Sequence, residues 1–532
     1  MSGTPLNEAA VNANPIAGHR GFLNSVIWNW LGVTVSIISA FLLSPFIIRR
    51  LGDENYGLWA LTTSLVEYYW LLDLGLRSAT FQFAAIFNGK GEQDNINRMI
   101  NTNLAYSLLL APILIGGAWF GAPVLAKFMH ITHPLFARLV LIVVTTWALT
   151  SMLTVFTTTL EGIERFDVTN VASLAGISCR TLGTFVLLYT GHGVVAIAWM
   201  GMAAQLLTHS ISYSQVRRIF PFLRISPGYC SFAMFKQMLK YGMHSVAASM
   251  AQRILSQSPS LLIGYYLPTR FVGYYTAPTR LLDFTATAVL RIGNVANSRS
   301  ALLWAQDKKR EVLELAIMVN RYSLAIFLPF SIFLAVYGPQ LLAVWITPEF
   351  ARQSSGVLVA LLAGITLGNA AQFSSTSILF GIGKHRIFAR AMLTEAAVTT
   401  LALAFVLPRY GLTVAAVIAS AMMVLNRALF TPWILTRELN ASYFGYLASV
   451  NLPLIAVIPV GGALFALRHF VPGTNWFQLI AAGAVTLLVY APISWRFVRH
   501  DHRAMALGKV REYGGRVGLF VAAQAANDRD AK

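Results

Sequence analysis

Apolar residues occur in long runs along this chain, separated by short polar stretches. The runs lie at 22–47, 56–85, 100–120, 139–160, 171–189, 194–212, 241–266, 272–298, 313–337, 354–382, 391–406, 412–434, 445–467 and 477–495. Most are about 20 residues or longer, the length an α-helix needs to cross ~30 Å of hydrocarbon. The pattern predicts an all-α polytopic membrane protein with about 14 transmembrane helices. The second, seventh and eighth runs carry charges and are the least regular of the set.

Composition agrees with this reading. The 532 residues are 56% hydrophobic and 11% charged, where a soluble protein carries about 25% charge. An ordinary soluble domain and a disordered chain are both excluded. Basic residues number 40 against 21 acidic, a net charge of +19. In a soluble chain that balance would point to nucleic acid. Here the placement of the charges decides. An even number of spans puts both tails on one side, together with loops 86–99, 161–170, 213–240, 299–312, 383–390 and 435–444. With the tails 1–21 and 496–532, these segments hold 25 Lys and Arg, against 8 in the alternate loops. The positive-inside rule makes the richer set cytoplasmic, and no nucleic-acid partner is required. The expected location is the bacterial inner membrane, multi-pass, with both termini cytoplasmic. The polar N-terminal tail lacks the charged n-region of a cleaved signal, so the first run reads as an uncleaved anchor.

Catalytic chemistry is hard to find. Cys179 and Cys230 do not make a disulfide framework, and their spacing is not that of a metal site. His130 with His133, and His500 with His502, lack the ligand count that zinc needs. No P-loop, nucleophile elbow or dinucleotide fingerprint occurs. The longest outer loop, 121–138, is too short to build an external active site. The expectation is a transporter without a cofactor or metal, not an enzyme. Linker 213–240 carries Arg217, Arg218, Arg224, Lys236 and Lys240. Its part around Phe232, Phe235, Met238 and Leu239 reads either as a solvated connector or as a helix lying on the inner membrane surface.

The chain also repeats itself at an offset near 217. Pro112, Trp119-Phe120-Gly121 and Leu125 align with Pro329, Val336-Tyr337-Gly338 and Leu342. Asn55-Tyr56-Gly57-Leu58-Trp59 aligns with Phe271-Val272-Gly273-Tyr274-Tyr275, Gly162 with Gly381, and Gly193 with Gly411. The organisation predicted is a cytoplasmic tail 1–21, a first six-helix lobe 22–212, a linker 213–240, a second six-helix lobe 241–434, an extra helix pair 435–495 and a basic tail 496–532. Six is even, so the repeats are parallel and related by an axis along the membrane normal. Two such lobes imply a cleft between them.

The stretch Arg49-Arg50-Leu51-Gly52-Asp53-Glu54-Asn55-Tyr56-Gly57-Leu58-Trp59, followed by Leu72-Asp73-Leu74-Gly75-Leu76, resembles the polysaccharide-transporter group of the MOP superfamily, the Wzx-type O-antigen and exopolysaccharide flippases. Gly273-Tyr274-Tyr275 resembles the signature of the second half. The resemblance covers essentially the whole chain. It implies movement of an undecaprenyl-diphosphate-linked oligosaccharide from the inner to the outer leaflet. It also implies the lipid bilayer, a polysaccharide polymerase and chain-length machinery as partners. It says almost nothing about which sugar is carried.

Charges inside spans cost about 2.5–3.5 kcal/mol each on insertion scales and so face a cavity or one another. Arg253 lies on a stripe with Ser249, Gln257 and Ser260. Arg280, Asp283, Thr287 and Arg291 form a second stripe. Glu67, Asp73 and Arg77 sit in the second run, with Asp73 and Arg77 four apart and hence on one helix face. Arginine presents a planar fork suited to phosphate oxygens. Arg253, Arg280, Arg291 and Arg77 are therefore the candidates for binding the diphosphate, and Glu67, Asp73 and Asp283 those for ion coupling. Asp73–Arg77 and Arg280–Asp283 also admit a second reading, as internal ion pairs. Arg180 and Arg427 read as snorkelling or capping residues, and Glu395 as interfacial. Two other functions stand beside the flippase. A MATE-like drug antiporter calls for acids to dominate the cleft, yet bases outnumber acids inside these spans. A polymerase or ligase calls for the external segment that is missing.

Overall fold

The computed structural model describes residues 15–369 and 372–497, and the predicted tails lie largely outside them. Every regular element among the described residues is helical. The order is α1 (Pro15–Val66), α2 (Leu76–Lys90), α3 (Gln93–Phe128), α4 (Phe136–Gly162), α5 (Phe166–Tyr189), α6 (Val194–Ile219), α7 (Phe232–Tyr266), α8 (Arg270–Ala305), α9 (Lys309–Trp345), α10 (Pro348–Gly364), α11 (Phe373–Gly381), α12 (His385–Met423), α13 (Thr431–Glu438), α14 (Tyr443–Asn451), α15 (Val457–Phe470) and α16 (Trp476–Ser494). Among them, ten helical segments are long and apolar enough to cross a membrane. The chain is an all-helical, multi-pass membrane protein.

Two glycines account for part of the difference between fourteen apolar runs and ten candidate segments. Gly52 (φ 78°, ψ 164°) lies inside α1 and Gly411 (φ 74°, ψ −165°) inside α12, both outside helical geometry. Each is a one-residue turn between two apolar runs, open to glycine because it has no Cβ. Helices α7 and α8 are not among the ten, because they carry the charged stripes.

The chain divides into two compact units. The first runs to Leu281 and takes in Trp345–Val357 and Ala389–Ile418. The second comprises Leu282–Val344, Leu358–Phe388 and the chain from Ala419 onward. In the first unit α3 lies on α4, α5 on α6, α4 on α6, and α2 against α4 and α7. One end of that unit has a dense core of Leu76, Phe83, Phe87, Met99, Phe156, Phe220, Met234 and Met238. In the second unit the π-helical turns Ile365–Asn369 and Val424–Phe430 pack on each other, and α15 packs on α16.

Residues 232–240 are neither a plain connector nor a separate surface helix. They are the first turns of α7, which starts where Ser231 accepts a bond from the Met234 amide at 3.3 Å. Met234 and Met238 point into the core, while Phe232 is exposed. The linker before them is strapped to α3 by amide side chains. Asn97 accepts from the Arg224 amide at 2.9 Å, and Asn101 accepts from the Ser226 amide at 2.9 Å. Asn101 also donates to the Arg224 carbonyl at 2.7 Å, and Thr102 accepts from the Ser231 amide at 3.0 Å.

Repeat-related positions have similar surroundings within each unit. Gly162 ends α4 and Gly381 ends α11. A methyl group at Gly162 would stand 2.5 Å from the Phe81 carbonyl oxygen, and one at Gly381 2.7 Å from that of Asn297. Phe81 and Asn297 are themselves separated by the repeat offset.

Candidate functional site

The second apolar run does not continue as one helix. After Val66 the backbone tightens to a 3₁₀ helix over Glu67–Asp73, then reverses hand at Leu74 (φ 50°) and Gly75 (φ 75°) before α2 begins. Gly75 is required there for two reasons. Its φ is positive, and a Cβ would collide with the backbone of Gly242 on α7. The break changes what the charges of this run can reach.

Glu67, the first residue of the 3₁₀ turn, forms an ion pair with Arg253 at the middle of α7. The Arg253 guanidinium also lies over the Trp70 ring, 5.4 Å from its centroid. Tyr68 and Ser258 join the same two elements through a hydroxyl contact of 3.1 Å. The Arg253 and Glu67 side chains keep 31% and 46% of their surface, so the pair is reachable from outside the packed interior. Neither residue has an opposite charge within one turn of its own helix. Each finds one on the other element.

Asp73 and Arg77 do not pair through their side chains. The Asp73 carboxylate accepts from the Arg77 backbone amide at 3.1 Å, as a cap on the start of α2. The Arg77 guanidinium turns instead to Glu161 at the end of α4, 3.4 Å away. The helical spacing that placed them on one face is lost because Leu74 and Gly75 are not helical.

On α8, Arg280 is half-buried and has no ion pair among the described residues. Arg180 of α5, which the sequence reads as a snorkelling or capping residue, is exposed. Asp283 is exposed and has an interaction partner of its own. The Arg291 side chain, like those of Ser249 and Thr287, lies outside the described residues. Glu395 is 4% exposed and partnered.

The residues of the signature hold the first unit together. Gly57 lets α1 approach the turn before α8 so closely that a methyl would overlap the Thr269 carbonyl, and a methyl at Gly273 would lie 2.9 Å from the Tyr56 ring. The Tyr274 hydroxyl donates to Asp53 at 2.7 Å. Arg49 donates through Nε to the Ile346 carbonyl at 2.6 Å and through Nη2 to that of Trp345 at 3.1 Å. Carbonyls at a helix end lack internal partners, and a cation is well placed there. These residues are structural, which fits a motif that marks a family without reporting its sugar.

Ten long apolar helical segments define a polytopic membrane protein. The fold is that of the lipid II flippase MurJ in its inward closed conformation, with TM-score 0.69 at 12% identity over 89% of this chain and 98% of that one. It is also that of an inward-facing multidrug resistance MATE transporter of the MOP superfamily, with TM-score 0.64 at 14% identity over 78% and 99%. The chain belongs to the polysaccharide biosynthesis protein family, whose profile matches residues 46–354. It is 23% identical to the uncharacterized membrane protein EpsK of Bacillus subtilis over 92% of this chain and 98% of that protein. It is 22% identical to a putative O-antigen transporter of Shigella flexneri over 78% and 98%.

Proposed function

We propose that this transporter is a flippase that moves a lipid (undecaprenyl) diphosphate-linked oligosaccharide from the inner to the outer leaflet for cell-surface or exopolysaccharide assembly. The observation that carries the reading is Arg280, a half-buried base inside α8 with no ion pair among the described residues. A lone charge in a span costs about 2.5–3.5 kcal/mol. A bound anion offsets that cost, and a diphosphate offers several oxygens to the planar fork. Arg253, Arg77 and Arg291 extend the cationic path, and Glu67, Asp73 and Asp283 are the proposed ion-coupling acids. The family's place in polysaccharide biosynthesis supports a sugar as cargo, and the relative named a putative O-antigen transporter supports transport over catalysis. A polymerase and chain-length machinery would then act on the product.

The proposed topology has fourteen spans. Ten candidate segments, the turns at Gly52 and Gly411 that divide two of them, and the charged helices α7 and α8 support that number. Lobes 22–212 and 241–434 alternate access, joined by linker 213–240 and followed by the pair 435–495. Both tails face the cytoplasm of the inner membrane.

In a strain lacking this protein, with no redundant carrier, lipid-linked repeat units should accumulate on the inner leaflet. Normal delivery to the outer leaflet would refute the proposal. A drug antiporter is the second reading, favoured by the shared fold with the MATE transporter. Unchanged drug susceptibility in that strain removes it.

A further inference from the structure

We propose that Glu67 is an internal counter-anion that occupies Arg253 when the carrier is empty and is displaced by the phosphate groups of the cargo. The inference rests on the flippase reading above. It starts from a local arrangement that reading does not use: Arg253 is held on two sides, by the Glu67 carboxylate and by the face of Trp70. The ring can stay while the carboxylate leaves, because a cation over an aromatic face keeps its donor edge open to oxygens. Glu67 is the movable partner. It stands on a 3₁₀ turn with no buried residue, between the end of α1 and the reversal at Leu74 and Gly75. The Arg253 and Glu67 side chains keep 31% and 46% of their surface, so an incoming anion can reach the guanidinium without unpacking the helix. A carboxylate and a phosphate compete for the same two N–H edges of the fork. The pair keeps Arg253 compensated in the empty protein, and the ligand must outbid it.

Competition of this kind has a definite signature. Removing the carboxylate should tighten binding of a diphosphate, whereas removing a structural partner would loosen it. The test is calorimetric titration of the full-length protein in detergent with geranylgeranyl diphosphate, and with geranylgeraniol as the uncharged control. Glu67→Gln should bind the diphosphate roughly 3- to 10-fold more tightly than the wild type, as expected for loss of one competing ion pair. Arg253→Gln should bind it more weakly. Glu67→Gln added to Arg253→Gln should then change nothing, because no fork remains to compete for. Equal or weaker binding by Glu67→Gln, in a protein that retains its thermal midpoint, overturns the proposal and leaves the flippase reading in place. If Glu67→Gln does not fold, the proposal is tested by Glu67→Ala on the same scale. A wild type that binds the diphosphate no better than geranylgeraniol overturns the diphosphate reading itself.

Discussion

Arg253 and Glu67 show how a single residue's environment departs from its local sequence. Insertion into the membrane penalises each charge separately, and spacing along either helix offers neither a partner. The partner comes from a second element, and with it Trp70, so the cost is shared across a tertiary contact. Asp73 is the converse case. Spacing of four suggested a side-chain pair with Arg77, but the backbone reverses between them and the carboxylate caps an amide instead. A cap can be served by an amide oxygen. Asp73→Asn should therefore keep the thermal midpoint of the purified protein, while Asp73→Ala should lose about 1 kcal/mol of stability. If Asp73 also carries a coupling ion, Asp73→Asn will lose transport at unchanged stability, so measuring both separates the two roles. Asn320 lies in a buried network. It accepts from the Ser374 amide at 2.9 Å and donates to Ser375 and Tyr446 at 2.8 Å each. Asn320→Ala leaves the Ser374 amide without its acceptor, while Ser375 and Tyr446 keep Gln372, and should cost about 1–2 kcal/mol, read as a lower unfolding midpoint.

Among the elements, glycine placement decides which helices can approach. At Gly57 a methyl would overlap a backbone carbonyl that has nowhere to move, whereas Gly116 on α3 faces open space. Gly57→Ala should destabilise by about 1–3 kcal/mol through overpacking. Gly116→Ala should be neutral or stabilising, since it removes helix-interior glycine entropy. Fluorescence-detected size-exclusion thermostability distinguishes the two. The linker offers a second test at this scale. Asn97 and Asn101 hold the segment around Arg224 by its backbone. Limited trypsin digestion of inside-out vesicles should cut near Arg217–Arg224 slowly in the wild type and several-fold faster in an Asn97→Ala/Asn101→Ala double variant. Equal rates would mean that the strap does not order the linker.

For the molecule as a whole, orientation and cargo are the open quantities, and both are measurable. Cys230 is exposed in the linker while Cys179 lies on α5 and is half-buried. A membrane-impermeant maleimide should label Cys230 in inside-out vesicles and not in right-side-out ones. The reverse result would invert the proposed topology. The shared fold of this chain with a lipid II flippase and with a drug exporter shows that architecture alone does not choose the substrate.

Hydrophobic periodicity and length were enough to establish the helical class, the membrane and the approximate positions of the spans, because crossing hydrocarbon requires long helices whose backbone bonds are satisfied internally. The asymmetry of Lys and Arg was enough to propose an orientation, and the repeated glycines and prolines were enough to propose two lobes. The family signature was visible as a motif, but its structural work was not, since Arg49, Asp53 and Gly57 act on residues more than two hundred positions away. The tertiary structure alone decided who neutralises whom: Glu67 with Arg253, and Arg77 with Glu161. Electrostatic pairing depends on distance in space, and a chain that reverses hand at Leu74 and Gly75 breaks the spacing rule by which a sequence predicts that distance.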